Sequence, residues 1–323
     1  MKRIICLSSV DFDWMFQRPQ QLMMEFARRG WEVVYCNKTQ RKDQFIEDRG
    51  GGLYICHDLE GLCKEGVGAD VVWVVNPQFH GFKGRFKERL FIYDCVDDFP
   101  HLILHHHRMM KVADLIFATS TPLYNSIRRY RRDVCLVPNG CDYHFFNKHK
   151  ENGVKIDKDP NTKIIGYIGA IAPWVDVDLI TATAEAFPKE EIFLIGATLS
   201  GMSLPKRNNI NYLGHVSYEK IPSYLNQMDI TMIPFKKNQI TKATNPIKLY
   251  EYLSLGKPVV STSLPELVPF KKYVYINDTG KEFIKSVEMA MEEKNEMLVE
   301  ERKEVAKQNS WIERVNRIIQ IIN

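Results

Sequence analysis

The sequence has no Cys-x-x-Cys pair among its seven cysteines, and an odd number of cysteines cannot form a complete disulfide framework. This pattern argues against a structural zinc site and favours a reducing compartment. The chain also lacks any apolar run near the length of about 20 residues that spans a bilayer. Asp11 and Asp13 interrupt the apolar start of the chain before it reaches the length of a signal-peptide core. We therefore expect a cytoplasmic protein.

The chain has little net charge, and its formal +4 arises entirely in the first half. Residues 1–150 contain 22 Lys and Arg against 18 Asp and Glu, whereas residues 151–323 contain 22 of each. A basic cluster at residues 128–132 is typical of a solvated helix face, and it also suits an anionic membrane surface. Its cationic residues are Arg128, Arg129, Arg131 and Arg132. We expect peripheral contact with the inner leaflet of the plasma membrane here, and no nucleic acid partner, because no aromatic-interleaved basic stretch is present.

Short apolar runs alternate with amphipathic helical stretches along most of the chain, which predicts an α/β fold with doubly wound parallel sheets. A chain of 323 residues exceeds what one hydrophobic core usually supports, so we expect two domains. The alternation stops at residues 147–162, which are rich in Lys, Asp, Asn and Pro. We place the first domain at residues 1–150, a linker at 151–162 and the second domain at 163–297. Residues 298–323 predict a last helix.

One stretch, residues 245–260, combines several features that suit a sugar nucleotide. Pro246 opens a predicted helix, Gly256 closes it, and an apolar strand follows at once. The start of a helix attracts anions, and Lys248 adds a positive charge there. Glu251, about one turn further on, can accept hydrogen bonds from two neighbouring hydroxyls. The alternative is an ordinary amphipathic helix with Lys248 and Glu251 on its solvated side.

Eight short motifs, in this order and spacing, resemble those of GT-B glycosyltransferases of family 4, also called group 1. The closest resemblance is to a bacterial subgroup that includes teichuronic acid glycosyltransferase-like and polysaccharide-biosynthesis proteins. The motifs are residues 17–20, 93–98, 113–120, 137–142, 165–169, 213–216, 233–235 and 245–260. Together they span nearly the whole chain.

The resemblance implies the GT-B fold, with two Rossmann-like domains facing each other across a cleft. Residues 1–150 would bind the acceptor, residues 163–297 would bind the nucleotide diphosphate sugar, and the helix at 298–323 would cross back to the first domain. The implied reaction transfers a hexose-like unit from a UDP- or GDP-sugar to a cell-envelope polysaccharide or a lipid-linked acceptor. It requires no metal and no other cofactor. Whether the reaction retains or inverts configuration stays open.

On the donor side, Glu251 matches the second glutamate of the family's paired-glutamate motif, which is associated with the ribose hydroxyls. The first glutamate would lie eight positions upstream, where this chain has Ala243. Asn245 and Lys248 are the candidates to replace it. Gly166 and Gly169 resemble the glycine loop under the diphosphate, for which a tight turn is the alternative. The predicted donor-binding residues are Arg18, Gly166, Gly169, His215, Asn245, Pro246, Lys248 and Glu251.

On the acceptor side, two groups of residues follow predicted strands, which would place them at the mouth of the cleft. Asp13, Trp14 and Gln20 are predicted to meet acceptor hydroxyls by hydrogen bonding and ring stacking, although a loop that caps the next helix is the alternative for Asp13. Asp97 and Asp98 are the candidate catalytic residues. One of them would be the base in an inverting enzyme, whereas both would position the acceptor in a retaining one.

Two other functions fit the same two-domain fold. A nucleotide-sugar 2-epimerase would convert its substrate without an acceptor, and a non-catalytic nucleotide-sugar-binding subunit would explain the missing carboxylate at Ala243. Asp176 and Asp178 spell the Asp-x-Asp pattern that binds metal in a different glycosyltransferase fold. In a GT-B chain we interpret this pattern as a helix start and predict no metal site.

Overall fold

A computed structural model describes residues 1–41, 43–98, 100–151, 153–199, 201–278 and 280–323. The chain forms two compact units. Unit 1 comprises Met1–Asn139, Ala243–Asn245 and Trp311–Asn323, and unit 2 comprises Gly140–Lys242 and Pro246–Ser310. Both units contain a mainly parallel sheet with helices, so the predicted α/β class with two parallel-sheet domains is confirmed.

The sheet of unit 1 has eight strands in the spatial order β3-β4-β2-β1-β5-β6-β7-β8. Its strands are β1 (Arg3–Leu7), β2 (Glu32–Cys36), β3 (Ile46–Asp48), β4 (Leu53–Cys56), β5 (Val71–Val74), β6 (Leu90–Cys95), β7 (Leu115–Ala118) and β8 (Val134–Leu136). Only the edge strand β3 pairs in the antiparallel direction among the described strands. The central strands are buried on both faces, which explains their nearly continuous apolar sequences.

The sheet of unit 2 has six parallel strands in the order β11-β10-β9-β12-β13-β14. Its strands are β9 (Ile164–Ile168), β10 (Glu191–Ile195), β11 (Ile210–Gly214), β12 (Ile230–Ile233), β13 (Val259–Ser261) and β14 (Val274–Ile276). Because all strands run in one direction, their carboxyl ends lie along one edge of the sheet. Ligands of such sheets bind at this edge.

The helices alternate with the strands, as expected for crossover connections. They are α1 (Arg18–Arg28), α2 (Leu59–Lys64), α3 (Ile103–Val112), α4 (Thr121–Arg128), α5 (Tyr143–His149), α6 (Val177–Ala186), α7 (Ile221–Gln227), α8 (Gln239–Ala243), α9 (Ile247–Ser254), α10 (Gly280–Met291), α11 (Glu296–Gln308) and α12 (Trp311–Ile322). None of them is long and apolar enough to cross a bilayer, as far as the described residues extend.

The chain passes from unit 1 to unit 2 after Asn139, earlier than the predicted linker at 151–162. The physical reason is α5, whose Phe146 is fully buried in the core of unit 2 and whose Phe145 ring stacks on Tyr218 at 5.0 Å. The polar stretch that follows is a surface loop of unit 2. Ile156 N in this loop donates a hydrogen bond to Gln227 Oε1 at 2.8 Å. Asn152, within the predicted linker, lies outside the described residues.

The single helix predicted at 298–323 is two helices, since α11 ends at Gln308 and α12 begins at Trp311. In unit 2, α11 is anchored by Arg302, which is fully buried and forms an ion pair with Glu293 at 2.5 Å. In unit 1, α12 packs on α1, where Arg29 Nη2 donates to Asn316 Oδ1 at 2.6 Å. The segment that returns to the first unit is therefore α12 alone.

Candidate functional site

Two glycines follow neighbouring strands at the carboxyl edge of the unit 2 sheet. Gly169 comes directly after β9 and Gly196 directly after β10, with φ values of +145° and +146° that other residues rarely adopt. A Cβ on Gly196 would lie only 2.1 Å from the carbonyl oxygen of Gly169. The close approach of the two loops therefore requires glycine, and it leaves bare backbone at the position predicted for a diphosphate.

Gly166 lies elsewhere. It is buried inside β9, where a Cβ would lie 1.9 Å from the sulfur of Met228. Its small size therefore serves packing between the sheet and the residue that follows α7. This position argues against the predicted phosphate contact of Gly166, because the carboxyl edge of the strand begins only three residues later.

Lys248, in the first turn of α9, reaches Gly169 with the end of its side chain. A Cβ on Gly169 would lie 2.9 Å from Lys248 Nζ. The first backbone hydrogen bond of this turn runs from Leu249 N to Pro246 O at 3.1 Å, and Pro246 is the N-cap residue rather than the first helical residue. Pro246 has no N–H, so the first-turn donors are the amides of Ile247 and Lys248. Together with the helix dipole they form an anion-binding terminus.

The ammonium group of Lys248 lies over two aromatic rings. Its Nζ is 5.2 Å from the ring centroid of Tyr167 and 4.8 Å from that of Phe235, which are distances for cation–π contact. Burial lowers the pKa of Lys248 to about 8, and the nearby carboxylate of Glu251 partly opposes this effect. The lysine thus carries a positive charge at neutral pH in poorly hydrated surroundings.

Glu251 lies one turn after Lys248 on α9 and is half-buried. Burial raises the pKa of its carboxyl group to about 7, and the positive charge of Lys248 partly opposes this effect. A carboxyl group whose pKa is raised by burial has the character of a binding group. Its two oxygens can accept hydrogen bonds from two neighbouring hydroxyls, as the ribose prediction requires.

Two tyrosines that sequence reasoning missed fix the backbone at the end of β9. The hydroxyl of Tyr252 accepts a hydrogen bond from Ile168 N at 2.8 Å, and the hydroxyl of Tyr167 donates to Ala170 O at 2.8 Å. Both rings are fully buried. The sequence offers one indication of this role. Tyr252 directly follows the candidate ligand Glu251, and the hydroxyl of a buried tyrosine requires a polar partner.

The other donor-side predictions have different surroundings. His215 is exposed and directly follows β11. Asn245 belongs to unit 1, where its Oδ1 accepts from Asn139 N at 3.0 Å and its carbonyl oxygen accepts from Asn139 Nδ2 at 2.6 Å. Ala243 is packed in the apolar cluster of the same unit and its carbonyl oxygen accepts from Ser120 Oγ at 2.6 Å. The position of the missing glutamate is therefore an internal packing position.

Arg18 is placed differently from its prediction. Its side chain is 2% exposed and forms a two-pronged ion pair with Asp94, with Nε and Nη2 at 2.8 and 2.9 Å from the carboxylate oxygens. Its Nη1 donates to Pro138 O at 3.2 Å, and Trp73 Nε1 also donates to Asp94 at 3.2 Å. These contacts and the near-complete burial of the side chain argue against the predicted phosphate contact.

Asp97 and Asp98 follow β6 in unit 1. Burial raises the pKa of the Asp97 carboxyl group to about 7, and a hydrogen bond from Thr244 Oγ1 at 3.3 Å partly opposes this effect. A carboxyl group that titrates near neutral pH suits a general base. The structure thus gives Asp97 the electrostatic character that its predicted role needs.

The loop before α1 is organised by Gln20, which is fully buried. Its Nε2 lies 3.2 to 3.4 Å from the backbone carbonyl oxygens of four loop residues, and its Oε1 accepts from Gln17 N. Gln20 is therefore a loop-positioning residue, not the predicted acceptor contact. Asp13 forms an ion pair with Arg49 at 2.6 Å, and Trp14 is 48% exposed. The acceptor role of these two stays a prediction.

No group of three or more His, Cys, Asp or Glu side chains suited to a metal ion occurs in the described parts of the chain.

Residues 162–307 match the model of a family described as "Glycosyl transferases group 1". The whole chain superposes on sucrose-phosphate synthase from Thermosynechococcus elongatus with a TM-score of 0.80 and 12% identity, covering 99% of this chain and 98% of that one. It superposes on Anabaena HepE in complex with UDP-glucose with a TM-score of 0.73 and 13% identity, covering 99% of each chain. The chain thus has the GT-B fold of these glycosyltransferases, and residues 162–307 are similar to the group 1 family.

Among curated proteins, the chain is similar to the putative teichuronic acid biosynthesis glycosyltransferase TuaH of Bacillus subtilis (strain 168). The two are 26% identical over 337 residues, which cover 92% of this chain and 85% of TuaH. The resemblance inferred from the eight sequence motifs is therefore confirmed.

Proposed function

We propose that this protein transfers a hexose-like unit from a nucleotide diphosphate sugar to a cell-envelope polysaccharide or a lipid-linked acceptor. One observation carries the proposal: the start of α9 brings Lys248 against Gly169 and places Glu251 one turn away. The name of TuaH supports a cell-wall polysaccharide as the destination of the sugar. UDP in the complexes of HepE favours UDP over GDP as the nucleotide.

In this proposal the diphosphate lies at the amides of Ile247 and Lys248, over the bare backbone of Gly169. The leaving diphosphate gains negative charge as the glycosidic bond breaks, and preorganised donors stabilise that charge most in poorly hydrated surroundings. Lys248 supplies the positive charge, which matters more because Arg18 is engaged by Asp94. Glu251 receives the two ribose hydroxyls, for which its carboxylate must be ionised.

Asp97 serves the acceptor in this proposal. With a pKa of about 7, it can accept the proton of an acceptor hydroxyl at neutral pH and release it afterwards. If the enzyme inverts configuration, Asp97 is the base. If it retains configuration, the leaving diphosphate takes the proton, and Asp97 with Asp98 positions the acceptor. A pH profile of kcat separates these cases. If Asp97 is the base, kcat should fall at pH values below the pKa of Asp97, and Asp97→Asn should abolish this pH dependence.

The reaction is proposed to need no divalent metal ion. The diphosphate charge is met by Lys248 and by backbone amides, which are donors that require no cation. The peripheral location at the inner leaflet also belongs to the proposal, because a lipid-linked acceptor is presented there.

The test begins with a panel of nucleotide sugars in a thermal-shift assay, followed by nucleotide release with lipid-linked and glycan acceptors. Glu251→Ala should weaken binding of the preferred donor by about 1–3 kcal/mol, the loss expected for a hydrogen bond to a charged group. Glu288→Ala is the matched control, since Glu288 is an exposed glutamate on α10 of the same unit. Equal donor dissociation constants for Glu251→Ala and the native protein would count against the assigned site.

The same assays separate the alternative functions. Thermal stabilisation by a nucleotide sugar without turnover on any acceptor would identify a binding subunit. Conversion of the free nucleotide sugar to its epimer without an acceptor would identify a 2-epimerase. Release of the nucleotide only when an acceptor is present supports the transferase.

A further inference from the structure

The carboxylate of Asp97 in unit 1 accepts a hydrogen bond from a residue that is distant in the sequence. Thr244 Oγ1 donates to Asp97 Oδ1 at 3.3 Å, although 147 positions separate the two residues. Among the residues that the structure describes, Thr244 is the one hydrogen-bond donor to this carboxylate. Asp97 is half-buried, so its second oxygen, Oδ2, is left for a ligand that carries a hydroxyl group.

Thr244 is the middle residue of a three-residue segment that belongs to unit 1, whereas the chain on both sides of this segment belongs to unit 2. Both neighbours of Thr244 are buried and hydrogen-bonded within unit 1. Ala243 O accepts from Ser120 Oγ at 2.6 Å, and Asn245 O accepts from Asn139 Nδ2 at 2.6 Å. These contacts hold the backbone of Thr244 from both sides and thereby fix the position of its hydroxyl group.

The surroundings of Asp97 disfavour its ionised form. Burial is the largest cause that raises the pKa of its carboxyl group to about 7, the hydrogen bond from Thr244 opposes the rise, and the negative charge of Asp98 adds to it. The other titratable groups nearby are Tyr93 and Cys95 of β6, and His106 of α3 beside Asp98. A donor that favours the ionised form therefore has a large share in deciding the charge of Asp97.

We propose that Thr244 is a positioning residue of the transfer reaction, whose hydroxyl group donates to Oδ1 of the ionised Asp97 and leaves Oδ2 for the acceptor hydroxyl. This inference rests on the acceptor role proposed for Asp97. In an inverting enzyme, Oδ2 takes the proton of the acceptor hydroxyl, the acceptor oxygen bonds to the sugar, and the nucleotide diphosphate leaves with the electron pair of the broken bond. In a retaining enzyme, the same hydrogen bond orients the carboxylate that holds the acceptor.

The alternative is that Thr244 serves the packing of its own segment and has no influence on Asp97. Two substitutions separate these roles. Thr244→Val keeps a side chain of nearly the same size and removes the hydroxyl group, whereas Thr244→Ser keeps the hydroxyl group and removes a methyl group. A packing role predicts that serine is the more damaging of the two, and the positioning role predicts that valine is.

The first experiment is the pH profile of kcat for nucleotide release with the preferred donor and acceptor. Thr244→Val should move the fall of kcat at acidic pH upward by about one pH unit, the shift expected when an ionised group loses one hydrogen bond. Thr244→Ser should keep the native profile. The matched control is Thr181→Val, because Thr181 is a half-buried threonine of unit 2 whose hydroxyl group donates to Val177 O at 2.8 Å. This control should also keep the native profile.

The second experiment is urea denaturation at several pH values, which needs no activity. The folded protein keeps the proton of Asp97 up to a pH of about 7, whereas the unfolded chain releases it near the ordinary value of 3.8, so the contribution of Asp97 to stability is lost as the pH rises between these values. Thr244→Val should extend this loss to higher pH. Its deficit in the free energy of unfolding relative to the native protein should therefore grow between about pH 6 and about pH 8. In an Asp97→Asn background, the deficit should not change with pH.

The two experiments separate a failure of this inference from a failure of the proposed function. If native kcat shows no acidic fall that Asp97→Asn abolishes, while the stability deficit of Thr244→Val grows with pH, Asp97 is not the base and Thr244 still positions it. The inference is overturned if the deficit of Thr244→Val is the same at every pH, or if Thr181→Val shows the same growth. Should Thr244→Val not fold, Thr244→Ala compared with Thr244→Ser repeats both measurements.

Discussion

Two pairs of opposite charges, one in each unit, are held in contrasting ways. In unit 1, Arg18 and Asp94 are almost fully buried, and hydrogen bonds from Trp73 and to Pro138 complete their contacts. In unit 2, the ammonium group of Lys248 lies over aromatic rings, and burial raises the pKa of Glu251 toward neutrality while it lowers that of Lys248.

The difference separates structural charges from binding charges. A buried pair whose hydrogen bonds are satisfied stabilises one arrangement of the chain and has no capacity left for a ligand. A pair whose charged forms are disfavoured by burial gains when a ligand supplies opposite charge and hydroxyl groups. The donor is therefore expected at Lys248 and Glu251, and Arg18 is expected to matter for folding.

The largest expected effect comes from Arg18→Met. It leaves Asp94 buried without its counter-ion, so the free energy of unfolding should fall by about 3–5 kcal/mol. Urea denaturation measures the change, and Arg28→Met is the control because Arg28 is a half-exposed arginine of the same helix. If Arg18→Met keeps native stability and loses donor affinity, the structural role of Arg18 is wrong and its role as a phosphate ligand is supported.

Lys248→Met should weaken binding of UDP by about 1–3 kcal/mol, because it removes a charged hydrogen-bond donor from the diphosphate. It should leave the affinity for uridine nearly unchanged, since the nucleoside has no phosphate. Calorimetric titration of both ligands measures the two effects. Glu251→Gln should instead weaken binding of UDP and of uridine by similar amounts. If Lys248→Met lost as much affinity for uridine as for UDP, the division of roles between the two residues would be wrong.

The pH dependence of stability should differ between the native protein and Glu251→Gln. In the folded protein, Glu251 keeps its proton up to a pH of about 7, whereas the unfolded chain releases it near its ordinary value of 4.5. The folded state binds more protons in this window, so the contribution of Glu251 to stability is lost as the pH rises toward 7. Denaturation of both proteins without ligand measures the difference. An identical pH dependence would show that Glu251 titrates normally.

Lys248 should contribute in the opposite direction at higher pH. Its pKa is lowered from 10.5 to about 8, so the unfolded chain binds the extra proton between these values, and stability rises with pH there. Lys248→Met should flatten this rise.

The smallest expected effect is that of a chelator. Excess EDTA should leave the rate of nucleotide release unchanged, because Lys248 and the amides of α9 are proposed to meet the diphosphate charge. Restoration of a lost rate by Mg²⁺ or Mn²⁺ would overturn the proposed metal independence.

The sequence predicted those features that depend on neighbouring residues. The alternation of apolar runs and helical stretches predicted the sheets, and Pro246 with Gly256 predicted the ends of α9. Lys248 and Glu251 share one helix, so their spacing of one turn could be deduced directly. The glycine at position 169 was recognisable because it ends a strand.

Features that depend on distant parts of the chain could not be predicted in this way. Arg18 and Asp94 are 76 positions apart, so no local pattern indicated that the guanidinium group was already engaged. Gln20 was assigned to the acceptor because it lies after a predicted strand, at the expected mouth of the cleft, whereas its amide nitrogen contacts four carbonyl oxygens of its own loop. The polar composition at 151–162 indicated a domain boundary, but the packing of Phe146 against distant residues decides where the boundary falls.

Unit 1 is assembled from three separate pieces of the chain, and α12 is its last piece. On the ribosome, the sheet of this unit emerges first but gains the helix that covers α1 only after unit 2 has been made. The apolar side of α1 therefore remains incompletely covered until α12 has been made. A gene divided at the polar stretch would yield two fragments, neither of which contains a whole unit.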